Sequence, residues 1–253
     1  MSSVISRRTN PGESKSAARP PPRWLQRFVS ATLQWPPGVR FYHHTARALF
    51  GLRLHGREHL PAQRPVLLVS NHGSHYDGLF LRVIGRELLG EPIVSVAWGG
   101  VRRFPFARAA LAGAAFPVVL TDETRDTAEM RGGVLDQIIA HLHAGRSVAL
   151  APEGDRYDAL APFRPGAAYA ALAAGVPIVP MTLRGVHPLW RTLPWPRRWW
   201  GCVTVHLHPA VLPADYADRP NREAVRTMTA VARRRIASML DYPDSEAPGA
   251  AAV

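Results

Sequence analysis

Between residues 52 and 207 apolar runs of strand length alternate with helix-length stretches, and this alternation leaves few folds open to the chain. Strand-like segments occupy 52–55, 66–70, 93–97, 115–119, 147–151, 178–183 and 203–207. Helical patterns lie at 77–89, 105–112, 127–144 and 167–174, with a last helix over 222–240. Strands separated by helices of this length predict an α/β domain with a largely parallel, mixed sheet flanked by helices. No internal repeat interrupts the pattern, and at 253 residues with 47% hydrophobic content the chain can bury one full core.

In open sheets of this kind, sites form outside the carboxyl ends of the strands. Two segments there carry chemistry. The first, Asn71-His72-Gly73-Ser74-His75-Tyr76-Asp77, follows the buried run 65–70 and places an imidazole and a carboxylate in one loop. A carboxylate on Nδ1 fixes the tautomer that leaves Nε2 free and stabilises the imidazolium formed on proton uptake, so the pair can make a general base. With 11 histidines in the chain, the spacing by itself is unspecific. The second, Pro152-Glu153-Gly154-Asp155-Arg156, brings a carboxylate, a glycine and a guanidinium out of the run 147–151. An exposed pair of this sort is usually a weak surface ion pair; the strand end and the glycine give it more weight here.

Other chemistries lack their residues. There is no Walker-type phosphate loop and no Gly-x-Gly-x-x-Gly fingerprint after a strand. His72-x-x-His75-x-Asp77 has no further ligand to complete a zinc site, so no metal is expected and His75 reads as a loop filler. Cys202 is the one cysteine, which excludes an intrachain disulfide and points to the cytosolic side.

The formal charge of +12, with Lys15 the sole lysine among 31 basic residues, calls for an anionic partner. Nucleic acid ranks low, because no arginine block joins a nucleic-acid fold or a stacking-aromatic motif. A membrane surface ranks higher. The N-terminus shows no secretory signal, and the longest apolar run, 109–120, is too short to span a bilayer. We expect residues 1–22, basic and proline-rich, and the tail 243–253 to be disordered, with one domain over 23–242. Within it, 24–33 and 42–52 show helical faces; region 23–51 either packs on the core or rests in lipid headgroups. In 190–200, four of the seven tryptophans sit with three arginines. That stretch is either a core or partner-binding loop or an interfacial anchor through Trp195, Trp199, Trp200 and the nearby arginines.

Taken in order, Asn71-His72 with Asp77, Glu153-Gly154 with Arg156, Phe163-Arg164-x-Gly166 and Val176-Pro177-Ile178-Val179-Pro180 resemble the glycerolipid acyltransferase superfamily, whose best-known members are the 1-acylglycerol-3-phosphate acyltransferases. The resemblance runs from about residue 57 to 184. It implies a glycerolphosphate acyltransferase-like fold in which His72 is the general base and Asp77 its orienting partner. It also implies a reaction in which a lysolipid hydroxyl attacks an acyl thioester of coenzyme A or acyl carrier protein. No acyl-enzyme forms, and no cofactor is needed beyond the thioester substrate. Substrate-binding positions carried over are Asn71, Ser74, Phe116, Glu153, Gly154, Arg156, Arg164, Gly166, Val176, Pro177 and Ile178. The Glu153 block is expected to hold the acceptor's polar head and the Val176 block to line the acyl region.

Two departures bear on the acceptor. Asp155 and Tyr157 replace the usual threonine and serine, and the block Gly113-Ala114-Ala115-Phe116-Pro117-Val118-Val119 ends in valine where the family has a phosphate-pairing arginine. Arg102, Arg103 and Arg125 are possible substitutes. Expected acceptors are therefore 1-acylglycerol-3-phosphate or a non-phosphate lysophospholipid, lipidated amino acid or glycolipid. Thioester hydrolysis would use the same base. A non-catalytic membrane- or lipid-binding module is the alternative class, against which the intact His72 and Asp77 speak. The expected location is the cytoplasmic face of the membrane, peripherally bound.

Overall fold

The computed structural model describes residues 44, 47–48, 51–73, 77–98, 118–121, 128–155, 157–186 and 203–246. Its strands are β1 (Arg53–His55), β2 (Leu67–Ser70), β3 (Val94–Trp98), β4 (Val118–Thr121), β5 (Val148–Leu150), β6 (Ile178–Arg184) and β7 (Thr204–Leu207). Its α-helices are α1 (Asp77–Leu89), α2 (Ala128–His143), α3 (Gly166–Ala174) and α4 (Asn221–Ala237). The strands form one seven-stranded sheet in the order β1-β7-β6-β2-β5-β3-β4. Among the described strands, every pairing is parallel except β6 with β7. The expected largely parallel mixed sheet is the one observed. The expected helices at 24–33 and 105–112 and the 190–200 stretch lie outside the described residues, as do Cys202 and residues 1–22.

The central strands are apolar throughout because both faces are covered. Side chains alternate across the sheet: Val66 and Leu68 join a core with Leu81 and Ile84 of α1. Leu67 and Val69 join the opposite core, built with α2, α3 and α4. Helix α3 is rich in alanine and buries Ala167, Ala168, Ala170 and Ala171, so it can lie close to the sheet. Gly85 does the same for α1, since a Cβ there would stand 2.2 Å from Ile93 Cγ1.

Strand β6 contains Pro180, an uncommon residue in a strand with neighbours on both sides. Its carbonyl accepts the His208 N–H at 2.9 Å. The edge on which Pro180 lacks a donor thus faces the point where β7 has ended and the chain passes through Pro209 before pairing again at Ile178 and Val211. The missing N–H falls at a gap in the ladder. Nearby, the Thr182 hydroxyl donates to the Ile236 carbonyl at 2.9 Å, so the His208 Nε2–H donates to Thr182 Oγ1 at 2.8 Å. Burial pushes His208 down to about 4 and keeps it neutral in this role.

The domain also reaches further than residue 242. Leu160 N–H donates to the Pro243 carbonyl at 2.8 Å and Ser245 N–H to the Leu160 carbonyl at 3.2 Å. Residues 243–246, expected in a disordered tail, are therefore hydrogen-bonded into the fold; 247–253 lie outside the described residues. Among the described residues no helix is long and apolar enough to cross a membrane.

Candidate active site

Strands β2 and β5 are neighbours, yet the chain leaves them in opposite directions. From β2 it passes through α1 to β3, beyond β5, and from β5 through α3 to β6, beyond β2. With α1 on one face and α3 on the other, the two connections part and open a crevice at the carboxyl ends of these strands, the place where such sheets bind ligands. Asn71-His72 ends β2 on one side of it, and Pro152-Glu153-Gly154 ends β5 on the other.

His72 Nδ1 lies 2.8 Å from Asp77 Oδ2. Asp77 is the first residue of α1, where unpaired backbone N–H groups favour a carboxylate, and it is 3% exposed. The His72 side chain is 30% exposed. With Nδ1 taken by Asp77, Nε2 is the nitrogen left for proton transfer. The five-residue separation that looked unspecific in the sequence is closed by the loop turning into the first turn of α1.

Glu153 joins the two sides of the crevice. Its Oε1 accepts the His72 backbone N–H at 2.7 Å and its Oε2 accepts the Ala161 N–H at 2.9 Å. Burial pushes this carboxyl up to about 7, against the two N–H bonds, which favour the charged form. The side chain is turned inward and holds the loop that carries His72, which leaves little of it for the polar head that sequence reading gave it. Asn71, fully buried, is likewise engaged by protein. Its Nδ2 donates to the Leu183 carbonyl at 3.0 Å and to Tyr242 Oη at 3.1 Å, and its Oδ1 accepts the Leu183 N–H at 2.8 Å. It fixes the end of β2 to β6.

Gly154 has φ 77°, a left-handed conformation that glycine adopts without strain. A Cβ at this position would stand 2.8 Å from Arg164 Cζ and Nε, so the Arg164 guanidinium lies directly over the glycine. Arg164 N–H donates to the Pro152 carbonyl at 2.9 Å. The Glu153-Gly154 and Phe163-Arg164-x-Gly166 blocks, ten residues apart in sequence, thus meet, and Gly166 follows as the first residue of α3.

The Val176 block goes elsewhere. Ile178 pairs with Leu67, while Met181 pairs with Ser70 at the site end of β2. At ~3.3 Å per residue, Ile178 is about 10 Å down the strand from that end. Val176 and Ile178 belong to the core on the α3 side, and Pro177 is buried beside them. Val119, where an arginine was expected, is also core, 1% exposed and paired with Val96. Ser74, His75, Phe116, Arg156, Arg102, Arg103 and Arg125 lie outside the described residues. What sequence reading missed is the clasp on Leu160, Arg233 and Tyr242 behind the site; no motif marks it. No group of three metal-ligating side chains occurs among the described residues.

The acyltransferase family profile matches residues 51–184, from the approach to β1 through the end of β6, with every described site residue inside it except Tyr242 and Arg233. The 1-acyl-sn-glycerol-3-phosphate acyltransferase of Escherichia coli (strain K12) is 27% identical over 207 residues, 79% of this chain and 80% of that protein. The proteins of the same name from Salmonella typhimurium and Salmonella typhi match to the same extent. Among solved structures, the 1-acyl-sn-glycerophosphate (LPA) acyltransferase PlsC from Thermotoga maritima superposes with a TM-score of 0.59 at 18% identity, covering 85% of this chain and 88% of that one, a likeness of fold. A profile spanning more than half of the chain, on this sheet and around this histidine-aspartate pair, means that the chain belongs to the acyltransferase family, as an O-acyltransferase of the glycerolipid acyltransferase superfamily.

Proposed function

We propose that the protein transfers a fatty acyl group from a thioester of coenzyme A or acyl carrier protein to a hydroxyl of a lysolipid such as 1-acylglycerol-3-phosphate, with His72 as general base. The observation that carries this reading is the 2.8 Å contact between His72 Nδ1 and Asp77 Oδ2 in the crevice between β2 and β5. His72 Nε2 takes the proton of the acceptor hydroxyl as its oxygen attacks the thioester carbonyl. The tetrahedral intermediate then expels the thiolate, the C–S bond breaks, and the imidazolium returns its proton to sulfur. Asp77 stabilises the imidazolium between the two steps. Relatives named for 1-acyl-sn-glycerol-3-phosphate support the choice of acceptor.

The test is purified protein with radiolabelled acyl-coenzyme A or acyl carrier protein against a panel of lysolipids. Diacyl product from 1-acylglycerol-3-phosphate, in excess of that from any phosphate-free acceptor, is the expected result. A second acceptor class is favoured by one observation: Val119 is packed in the core where the resemblance calls for a phosphate-pairing arginine. Preference for a neutral lysophospholipid, lipidated amino acid or glycolipid would establish that class instead.

The lipid substrate needs an enzyme at the membrane surface, and the 190–200 stretch, rich in tryptophan and arginine, is the proposed interfacial anchor. Serine at Trp195, Trp199 and Trp200 together should weaken sedimentation with anionic liposomes at least tenfold. Unchanged sedimentation would remove the stretch from membrane binding.

A further inference from the structure

The last described residues touch both walls of the crevice. On the β2 side, Tyr242 Oη accepts a hydrogen bond from Asn71, the residue before His72. On the β5 side, Pro243 and Ser245 bracket Leu160, the residue before the one whose N–H holds Glu153. Leu160 and Asp244 form a short parallel bridge. Behind them, Arg233 of α4 is 8% exposed and closes the arrangement. Its Nε and one terminal nitrogen donate to the Ala161 and Leu160 carbonyls at 3.3 and 3.2 Å, and it pairs with Asp244 and, at 2.8 Å, with Glu246. A guanidinium buried to this degree needs its partners, and here two carboxylates and two carbonyls supply them.

From these contacts a continuous path runs from the end of the fold to the site. Residues 243–245 and Arg233 hold the 160–161 peptide; Ala161 N–H holds Glu153; Glu153 holds the His72 N–H. Tyr242 meets the same loop from the other side through Asn71. We propose that residues 242–245, anchored by Arg233, form a strap that positions Glu153 and the His72 loop, with Tyr242 and Arg233 as positioning residues. Its consequence for turnover rests on His72 being the base; the positioning itself does not.

The strap explains two features that the reaction leaves unassigned. One is a buried arginine outside the span matched by the family profile, and the other is an ordered segment past the last helix. Because the links from Ala161 to Glu153 and from Glu153 to His72 are single hydrogen bonds, loosening the end at Leu160 should release the crevice loops while the sheet beneath them stays intact.

The experiment compares a chain ending at Glu246 with one ending at Tyr242, together with Tyr242→Phe and Arg233→Lys in the full chain. Two readouts are taken: steady-state kinetics, and hydrogen–deuterium exchange without substrate. Ending at Tyr242 should raise exchange at the amides of 71–73, 160 and 161 at least tenfold while those of 66–69, 178, 179, 181 and 182 keep their protection. It should also lower kcat at least tenfold with the thioester KM within twofold. The two point variants, which keep the segment and remain informative if the short chain does not fold, should show the same local pattern at threefold or more. Unchanged exchange in the point variants, or a rise spread evenly over the sheet, would overturn the proposal, the latter by making the segment a support of the fold at large. Exchange needs no turnover, so failure of the strap is distinguishable from failure of His72 as base.

Discussion

Replacing His72 with alanine is expected to lower kcat by ~10²- to 10⁴-fold, or roughly 3 to 5 kcal/mol of barrier, with little change in stability. The side chain is 30% exposed, so its removal opens no sealed cavity. The backbone N–H through which Glu153 holds the loop is retained in alanine. The loss should therefore fall on proton transfer, and the thioester KM should stay within about twofold. Thioester consumption and diacyl product, measured with the unfolding midpoint of each protein, separate chemistry from folding. A folded variant that turns over at the wild-type rate would remove His72 from the mechanism and leave the family membership standing.

The second large effect concerns Glu153 and is read in stability. Alanine here leaves the N–H groups of His72 and Ala161 without their acceptor, at ~1–3 kcal/mol for each buried donor, so a loss of about 2–6 kcal/mol is expected. The pH dependence gives a sharper measurement. The carboxyl titrates near 7 in the fold against an ordinary 4.5, so between those values the folded chain binds the proton that the unfolded chain has lost. The group's contribution is accordingly full below pH 4.5 and is lost as pH rises through 7, a change of about 3 kcal/mol. Glu153→Gln cannot titrate. Although its amide nitrogen meets one backbone N–H unfavourably, its stability relative to wild type should improve by about 3 kcal/mol between pH 4.5 and 8. Urea unfolding of both proteins across that range checks it. Parallel curves would mean that Glu153 is ionised throughout.

Much of this fold is legible in the chain because its central strands are buried on both faces and so read as unbroken apolar runs. All seven expected strands occur, and α1 spans the expected residues to the residue. Strand β4, expected over 115–119, is observed at Val118–Thr121; the apolar run 109–120 begins well before it and gives periodicity nothing to mark a start. The proline in β6 did not exclude a strand, since its missing donor coincides with a break in the neighbouring ladder.

Site residues divide on a different principle. His72 with Asp77, and Glu153 with Gly154, were legible because strand ends and a short loop bring them together with few alternatives. Side-chain direction was not. Glu153 and Asn71 have the composition of ligand-binding residues, yet each turns inward to satisfy backbone groups that a loop crossing between strands would otherwise leave unpaired. Residues 176–178 belong to the same ordered set of motifs, but strand register carries them about 10 Å from the crevice. The segment 243–246, polar and opening with a proline, carries no periodicity, and its order comes from Leu160, 85 positions before Ser245, and from Arg233 on the preceding helix.

By itself, the sequence determined the parallel α/β sheet, the crevice at its carboxyl edge and the imidazole-carboxylate pair within it, because apolar periodicity and short-range loop closure are local properties of a chain. Only the tertiary structure decided which of the surrounding polar residues face the crevice and which fasten it from behind. Hydrogen bonds such as Asn71 to Leu183, Glu153 to His72 and Arg233 to Leu160 join residues 112, 81 and 73 positions apart, and contacts over that separation are set by packing and register.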